Sequence, residues 1–467
     1  MTVVATSMPT AAGELHGVEL YAWIFAGYML ASTVMVPIFG KLADLYGRKP
    51  VLLTGLVVFL LGSGLCGAAT SMRQLILFRV LQGLGAGAVT PTALTIVGDL
   101  FTLEQRARVQ GLVAAVWGVA GLTGPAVGGY IVKWLSWRWV FLLNLPFGLL
   151  SAVIVVLAYH ERVARRRRKL DVAGALTLAA AVLTLLYGVQ RGGRAWPVLL
   201  LAAALAATFV VIEGRATEPL LPLALFRRRV MVVASVAGTL IGAAMFSVTT
   251  FVALYVQTVL GRPATVAGAV ITPMMVGWPI ASTLSGRLLP RVGFRPLVRV
   301  GFLICALGAG GLALTLTPGH ALLWSRVALG MVGVGLGLAN TALVIAVQTT
   351  STWSERGVAT SSTMFFRSIG GTVAVGTLGG ILAAGLTSGQ SKLLESLLGP
   401  HRPGEAALEP AARQALGHAL ESSLGLVLWI LAGVALAAFV VGLFFPKLSG
   451  KQAPVTPGEV DAEAASP

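Results

Sequence analysis

Long apolar runs separated by short polar stretches organise all 467 residues of the chain. Uncharged runs cover 20–40, 50–72, 109–132, 139–160, 230–261, 263–286, 300–325 and 422–446. Each is near or above the roughly 20 residues that carry a helix across about 30 Å of hydrocarbon. A spanning segment must satisfy its own backbone hydrogen bonds, so only helices or a closed barrel qualify. Strand-like alternation is absent, so the pattern predicts helices. Fourteen segments emerge, near 1–13, 20–40, 50–71, 75–98, 109–132, 139–160, 172–190, 195–212, 230–259, 264–286, 297–317, 322–347, 357–386 and 422–446. The first is too short to span.

Composition agrees with lipid as the main solvent. Charged residues make up 11% of the chain, against about 25% in soluble domains, and the mean hydropathy is +0.87. The net charge of +17 would suit nucleic acid, but its placement points elsewhere. With the N-terminus in the cytoplasm and the chain alternating, inner loops hold 22 of the 34 Lys and Arg. That bias is the positive-inside rule. It puts the C-terminus in the cytoplasm and makes membrane lipids, not nucleic acid, the partner of the basic residues. Cys66 and Cys305 sit in apolar spans and suggest no disulfide framework. The glycine strings Gly83–Gly87 and Gly333–Gly337 lack the Lys-Ser/Thr ending of a phosphate loop. No metal cluster or hydrolytic triad is visible, so neither a cofactor nor an enzyme is expected. Arginine outnumbers lysine 27 to 7, which points to a GC-rich prokaryote and its cytoplasmic membrane.

The chain repeats itself. Gly40-Lys41-Leu42 through Gly47 returns as Gly286-Arg287-Leu288 through Gly293, and Arg79-Val80 with Gly83 returns as Arg326-Val327 with Gly330. Both pairs fall at equivalent places in two six-span halves, a parallel repeat typical of one large transporter architecture. The expected organisation is a bundle over 1–160, two inserted helices with flanking loops over 161–229, a second bundle over 230–446 and a polar tail over 447–467. The loop 387–421 is expected to be partly helical.

Several positions carry candidate chemistry. Gly40, Asp44, Gly47, Arg48 and Lys49 form a turn between two spans. Gly47 suits a positive φ, and Asp44 can accept from a helix N-terminus or pair with Arg48. Arg79 and Arg367 are cations inside predicted spans. Arg367 lies 11 residues past Arg356, about 16 Å deep. Such groups are costly in lipid and mark functional sites. Gly121, Gly124, Pro125, Gly128 and Gly129 allow close helix packing, with Pro125 bending its helix. Tyr28, Trp117, Asn144, Phe246, Tyr255, Gln257 and Phe365 are candidates for an adaptable cavity lining.

These strings resemble the major facilitator superfamily. Gly40 through Lys49 resembles its signature loop, Arg79-Val-Leu-Gln82-Gly83 its fourth-span motif, and Gly124-Pro125 through Gly129 the fifth-span motif of its antiporters. Trp137-Arg-Trp-Val-Phe-Leu-Leu-Asn144-Leu-Pro146, Leu170-Asp171 with Gly174, Tyr255-Val-Gln257 and Phe366-Arg367 through Gly371 resemble the fourteen-span drug:proton antiporter branch. The resemblance implies two six-helix bundles with two helices inserted between them. It also implies export of hydrophobic or cationic compounds against protons by alternating access. The Asp44 turn would latch the cytoplasmic gate and Arg79 would serve proton coupling; Gln82, Arg367 and Glu14 are further candidates for coupling or intramembrane charge, Arg367 facing the central cavity or pairing with an acid.

The chain departs from that branch at one place. Thr2-Val3-Val4 and Pro9 fit the first-span pattern, but its acid would fall before Met1. The expectation is a mis-assigned start codon with the true start upstream. Export of a specific metabolite, lipid or siderophore, or a non-transporting sensor or accessory role, also fits these residues.

Overall fold

The computed structural model describes residues 2–15, 20–161, 171–191, 196–262, 264–317, 319–352, 355–386 and 410–448. Their regular structure is entirely helical. In order the helices are α1 Thr2–Glu14, α2 Tyr21–Tyr46, α3 Arg48–Ala68, α4 Met72–Leu100, α5 Leu103–Trp134, α6 Trp139–Leu142, α7 Asn144–Ala158, α8 Val172–Arg191 and α9 Trp196–Arg215. Then follow α10 Arg229–Thr258, α11 Ala264–Val292, α12 Phe294–Thr315, α13 Leu322–Thr350, α14 Arg356–Ala384 and α15 Pro410–Leu443. Among the described residues, twelve candidate spans are long and apolar enough to cross a membrane. Helix α1, 13 residues long, is too short.

The helices run further than the apolar runs. The 40–49 stretch, expected as a turn, is mostly helix: α2 continues through Asp44 to Tyr46, and the turn shrinks to Gly47, with φ 97°. Hydropathy ends where lipid ends, whereas a helix continues while its polar side chains find partners, as Lys41 and Asp44 do. The expected single span 139–160 is one candidate span, Trp139–Ala158, interrupted locally at Leu143, which keeps helical backbone angles. Pro146 has no N–H and would clash with the carbonyl four residues earlier. Helix α15 begins at Pro410, twelve residues before the apolar run at 422, which makes part of the expected 387–421 loop helical.

The α1–α7 and α10–α15 sets form two bundles. Within them α3 and α2 pack on α4, α11 and α12 pack on α13, and α10 packs on α14. Without a hydrophobic drive in lipid, close packing relies on small residues. A Cβ at Gly85 would press on Gly55 O, and one at Gly335 on Gly301 O, the same contact in each half. The bundles meet along two seams, α5 against α11 and α2 against α14. The inserted hairpin α8–α9 covers the second seam: α8 touches both α2 and α14. Its Leu178, Val182 and Leu186 join one apolar cluster with Val34 and Ile38 of α2 and the second bundle.

An ion pair ties the segment that follows α9 to α2. Lys41 Nζ lies 3.1 Å from Glu218 Oε2, the side chains only 10% and 18% exposed. Reversing either charge places like charges in a largely buried contact. Lys41→Glu and Glu218→Lys are each expected to lower the melting temperature in detergent by several degrees. The double swap should recover most of the loss, the sign of a direct coupling. Additive losses in a double-mutant cycle would show that the pair is not coupled.

Candidate gate and intramembrane charge network

One end of the molecule carries Arg48, Arg106, Arg228, Arg291, Arg295 and Arg356 and is called the arginine-rich end below. Here α2 and α14 cross so closely that a Cβ at Gly40 would overlap the Ser361 side chain. This crossing presents Asp44 to the first turn of α14. Its Oδ1 accepts from Gly357 N at 3.0 Å and its Oδ2 from Val358 N at 2.8 Å. A carboxylate on two free N–H groups of a helix start gains from both the hydrogen bonds and the helix dipole. Gly357 must be glycine for this, because a Cβ there would come within 2.5 Å of Asp44 Oδ1.

Arg48, fully buried, continues the chain of charge. It lies 3.0 Å from Asp44 Oδ1 and 3.0 Å from Asp99 Oδ2. Asp99 Oδ1 in turn meets Arg356 Nη1 at 2.7 Å. Arg356 also donates to Gly98 O and Gln348 O, and Gln348 donates to Leu94 O. Two acids and two arginines alternate, so the buried charge is balanced. Because α2 and α4 belong to one bundle and α13 and α14 to the other, these bonds close the bundles against each other. Lys49 points away, donating to Val156 O and Tyr159 O at the end of α7. Desolvation raises the Tyr159 phenol above its usual value, which keeps it neutral beside the charges. Glu161 caps α3, accepting from Arg48 N at 2.6 Å and Lys49 N at 3.0 Å.

A second network lies towards the opposite end. Arg79 on α4 is buried, donates Nε to Ile24 O at 3.3 Å and Nη1 to Gln82 Oε1 at 2.6 Å, and stacks 4.1 Å above the Tyr28 ring. Gln82 donates to Ser63 Oγ at 2.9 Å, Asn144 donates to the same oxygen at 2.9 Å, and Ser63 donates to Phe141 O at 2.8 Å. Five helices, α2, α3, α4, α6 and α7, are thus joined by polar bonds in an apolar setting, where such bonds are strong and unmade ones costly. Glu14, at the end of α1, accepts from Trp137 Nε1 at 2.7 Å and pairs with Arg138 at 2.5 Å. It sits at the half-exposed rim of this region.

The other sequence-derived candidates scatter. Arg367 donates to Asn340 Oδ1 at 3.3 Å inside the second bundle, away from Arg79. Gly121 lies along the α5–α11 seam, where a Cβ at the preceding Gly118 would reach Met275 O at 2.8 Å. Gly124 and Gly128 are buried, whereas a Cβ at Gly129 would meet nothing. The Pro125 side chain lies outside the described residues. Trp117 is exposed and Tyr255 buried, Gln257 bonds back to Ala253 O, Phe246 packs on Gly371, and Phe365 stacks edge-on against Phe366.

The sequence profile of the Major Facilitator Superfamily matches residues 1–375. The chain belongs to the major facilitator superfamily. It is a multi-pass membrane transporter of that superfamily, and its fold agrees with solved members. It superposes on the human organic anion transporter MFSD10 with a TM-score of 0.60 at 15% identity, covering 91% of this chain and 84% of that one. For the proton:xylose symporter XylE the TM-score is 0.59 at 14% identity, covering 97% and 92%. Among sequence relatives, the multidrug transporter protein MdtP of Bacillus subtilis is 39% identical over 82% of this chain and 72% of its own length. Multidrug resistance protein 3 of the same organism is 36% identical over 81% and 75%.

Within this superfamily member, sequence reasoning missed Ser63, Asp99, Gln348 and Glu161 as network partners. Asp99 and Glu161 carried a signal, being acids at span ends beside basic clusters. Ser63 carried little, since one serine in an apolar run resembles any small packing residue.

Proposed function

We propose that the chain is a secondary exporter of hydrophobic or cationic compounds, working by alternating access and driven by proton antiport in a prokaryotic cytoplasmic membrane. The observation that carries the reading is the Asp44 carboxylate of one bundle seated on the α14 helix start of the other. A contact of that kind must break for the arginine-rich end to open, so it belongs to a gate. With that end cytoplasmic, as the positive-inside bias requires, the conformation is the one closed to the cytoplasm. The multidrug names of the relatives support the substrate class. The resemblance of Gly124-Pro125 through Gly129 to the fifth-span motif of the family's antiporters supports an ion gradient as the energy source. Glu14, next to Arg138 and on the Arg79 side of the molecule, is the carboxylate proposed to exchange protons there.

The test is efflux of a fluorescent lipophilic cation from cells expressing the chain. Active efflux that stops on adding a protonophore is the expected result. Efflux that survives a collapsed proton gradient would rule out proton antiport, and no efflux of any lipophilic cation would rule out the substrate class.

A further inference from the structure

The internal repeat allows the two bundles to be compared residue by residue at the arginine-rich end. Gly47 and Gly293 make the same turn, with φ 97° and 82°, and each is followed by a helix whose third residue is proline, Pro50 or Pro296. In the first bundle the opening of this helix is filled by a carboxylate, Glu161, on Arg48 N and Lys49 N. In the second bundle the equivalent residues are Phe294 and Arg295; among the described residues no carboxylate stands at the opening of α12, and the nearest atom to a Cβ at Gly293 is Leu448 O at 4.0 Å. The acid of the loop is lost as well, because Pro290 stands at the place of Asp44.

What the second bundle has instead is arginine. Arg287, Arg291, Arg295 and Arg299 follow at intervals of four across the α11–α12 junction. The described carboxylates of this bundle are Glu355, paired with Arg228 at 3.0 Å, and Glu421, near the start of α15 at the far end of that helix from Leu443. Arg299 donates Nη2 to Leu443 O at 2.5 Å. Among the described residues, the Nε groups of Arg295 and Arg299 are both buried and have no hydrogen-bond acceptor. Buried charged donors without acceptors call for a partner. Exposed apolar side chains border the same place: Val292, Val300 and Leu303 on the α11–α12 side, Leu443 and Phe444 at the end of α15.

We infer that this junction is a binding site for an anionic phospholipid. The phosphate takes the position that Glu161 fills in the first bundle, on the opening of α12, with Arg291, Arg295 and Arg299 around it. Arginine matches phosphate in a planar, charge-assisted fork, and a helix start adds free N–H groups. The exposed Val300 and Leu303, deeper along α12, give the acyl chains an apolar wall, which a free phosphate would not use. The site is separate from the Asp44 gate, and the inference does not rest on the export reading.

Native mass spectrometry of the full chain in a zwitterionic detergent tests this directly. Added phosphatidylglycerol is expected to be retained, while phosphatidylcholine and inorganic phosphate are not. The variant Arg291→Gln/Arg295→Gln should hold phosphatidylglycerol roughly 30-fold more weakly, two headgroup-contacting cations having been removed. Arg299 is kept because it also ties α12 to α15. An Arg73→Gln control, at the other end of the molecule, should bind as the parent does. Equal retention by the double variant would overturn the assignment, and so would binding of inorganic phosphate in place of the lipid. Neutralising Glu459, Asp461 and Glu463 of the C-terminal tail should leave lipid binding unchanged. Lipid binding that appears only in that variant would give the arginines to the tail and refute the proposal.

Discussion

Replacing Asp44 with alanine is expected to remove most of the efflux and to shift the transporter away from the state closed at its arginine-rich end. The substitution leaves Gly357 N and Val358 N without their acceptor and takes one of two acids from buried Arg48. Breaking a buried ion pair by deleting one partner costs about 3–5 kcal/mol. Asp44 is on α2 and its N–H donors are on α14, so the cost falls on the state in which the two bundles touch here. A differential of about 3 kcal/mol moves a two-state ratio by roughly 150-fold. Spin labels at the ends of α2 and α14 should report a lengthened distance. Asp44→Asn keeps an acceptor oxygen but no charge, so it should fall between parent and alanine. If both distance and efflux match the parent, the contact is ornamental and the gate lies elsewhere.

The same residues show what a sequence can and cannot disclose. Asp44 stands out because an acid beside Gly47 and Arg48 fits a turn and a helix cap. Its first N–H partner, Gly357, lies 313 residues later, and no local pattern says which N–H groups meet it. Arg79 is visible as a cation inside an apolar run, but one of its acceptors is the main-chain carbonyl of Ile24. A carbonyl is present at every residue and so carries no signal. The fourteen segments are legible because lipid imposes one hydropathy rule on all of them. Their ends are not, because Lys41 and Asp44 extend α2 through contacts made across the fold. Trp117, Tyr255 and Phe365 show the limit for cavity residues, since an aromatic side chain in a span suits a core, a lipid face and a cavity equally well.

The repeat adds a reason for asymmetry at the arginine-rich end. Where the first bundle buries Arg48, between Asp44 and Asp99, the second buries Phe294 at the equivalent position. The contact between the bundles therefore sets the acids of α2 and α4 against the start of α14 and Arg356, and not against α11 or α12. Mutations that weaken charge there act through α2 and α4, whereas truncating the buried Phe294 responds as core packing does.

Arg79→Ala and Arg79→Lys are both expected to lower efflux at least tenfold while the protein still reaches the membrane. Alanine removes the donors to Ile24 O and Gln82 Oε1 and the cation above Tyr28. Gln82 then loses the partner that holds it towards Ser63, and the bonds from Ser63 to Phe141 and from Asn144 to Ser63 lose their support. Lysine restores the charge but not the geometry. An ammonium lacks the flat guanidinium that stacks on Tyr28 while donating in two directions. If charge alone mattered, lysine would rescue; the network predicts that it does not. Arg79→Met separates the remaining possibility, since methionine keeps length and packing without donors. Normal efflux from the methionine variant would show that Arg79 only fills space between α2, α4 and α6. Efflux as low as in the alanine variant would assign the loss to the hydrogen bonds and the charge, the parts of Arg79 that can respond to a proton moving at the neighbouring rim.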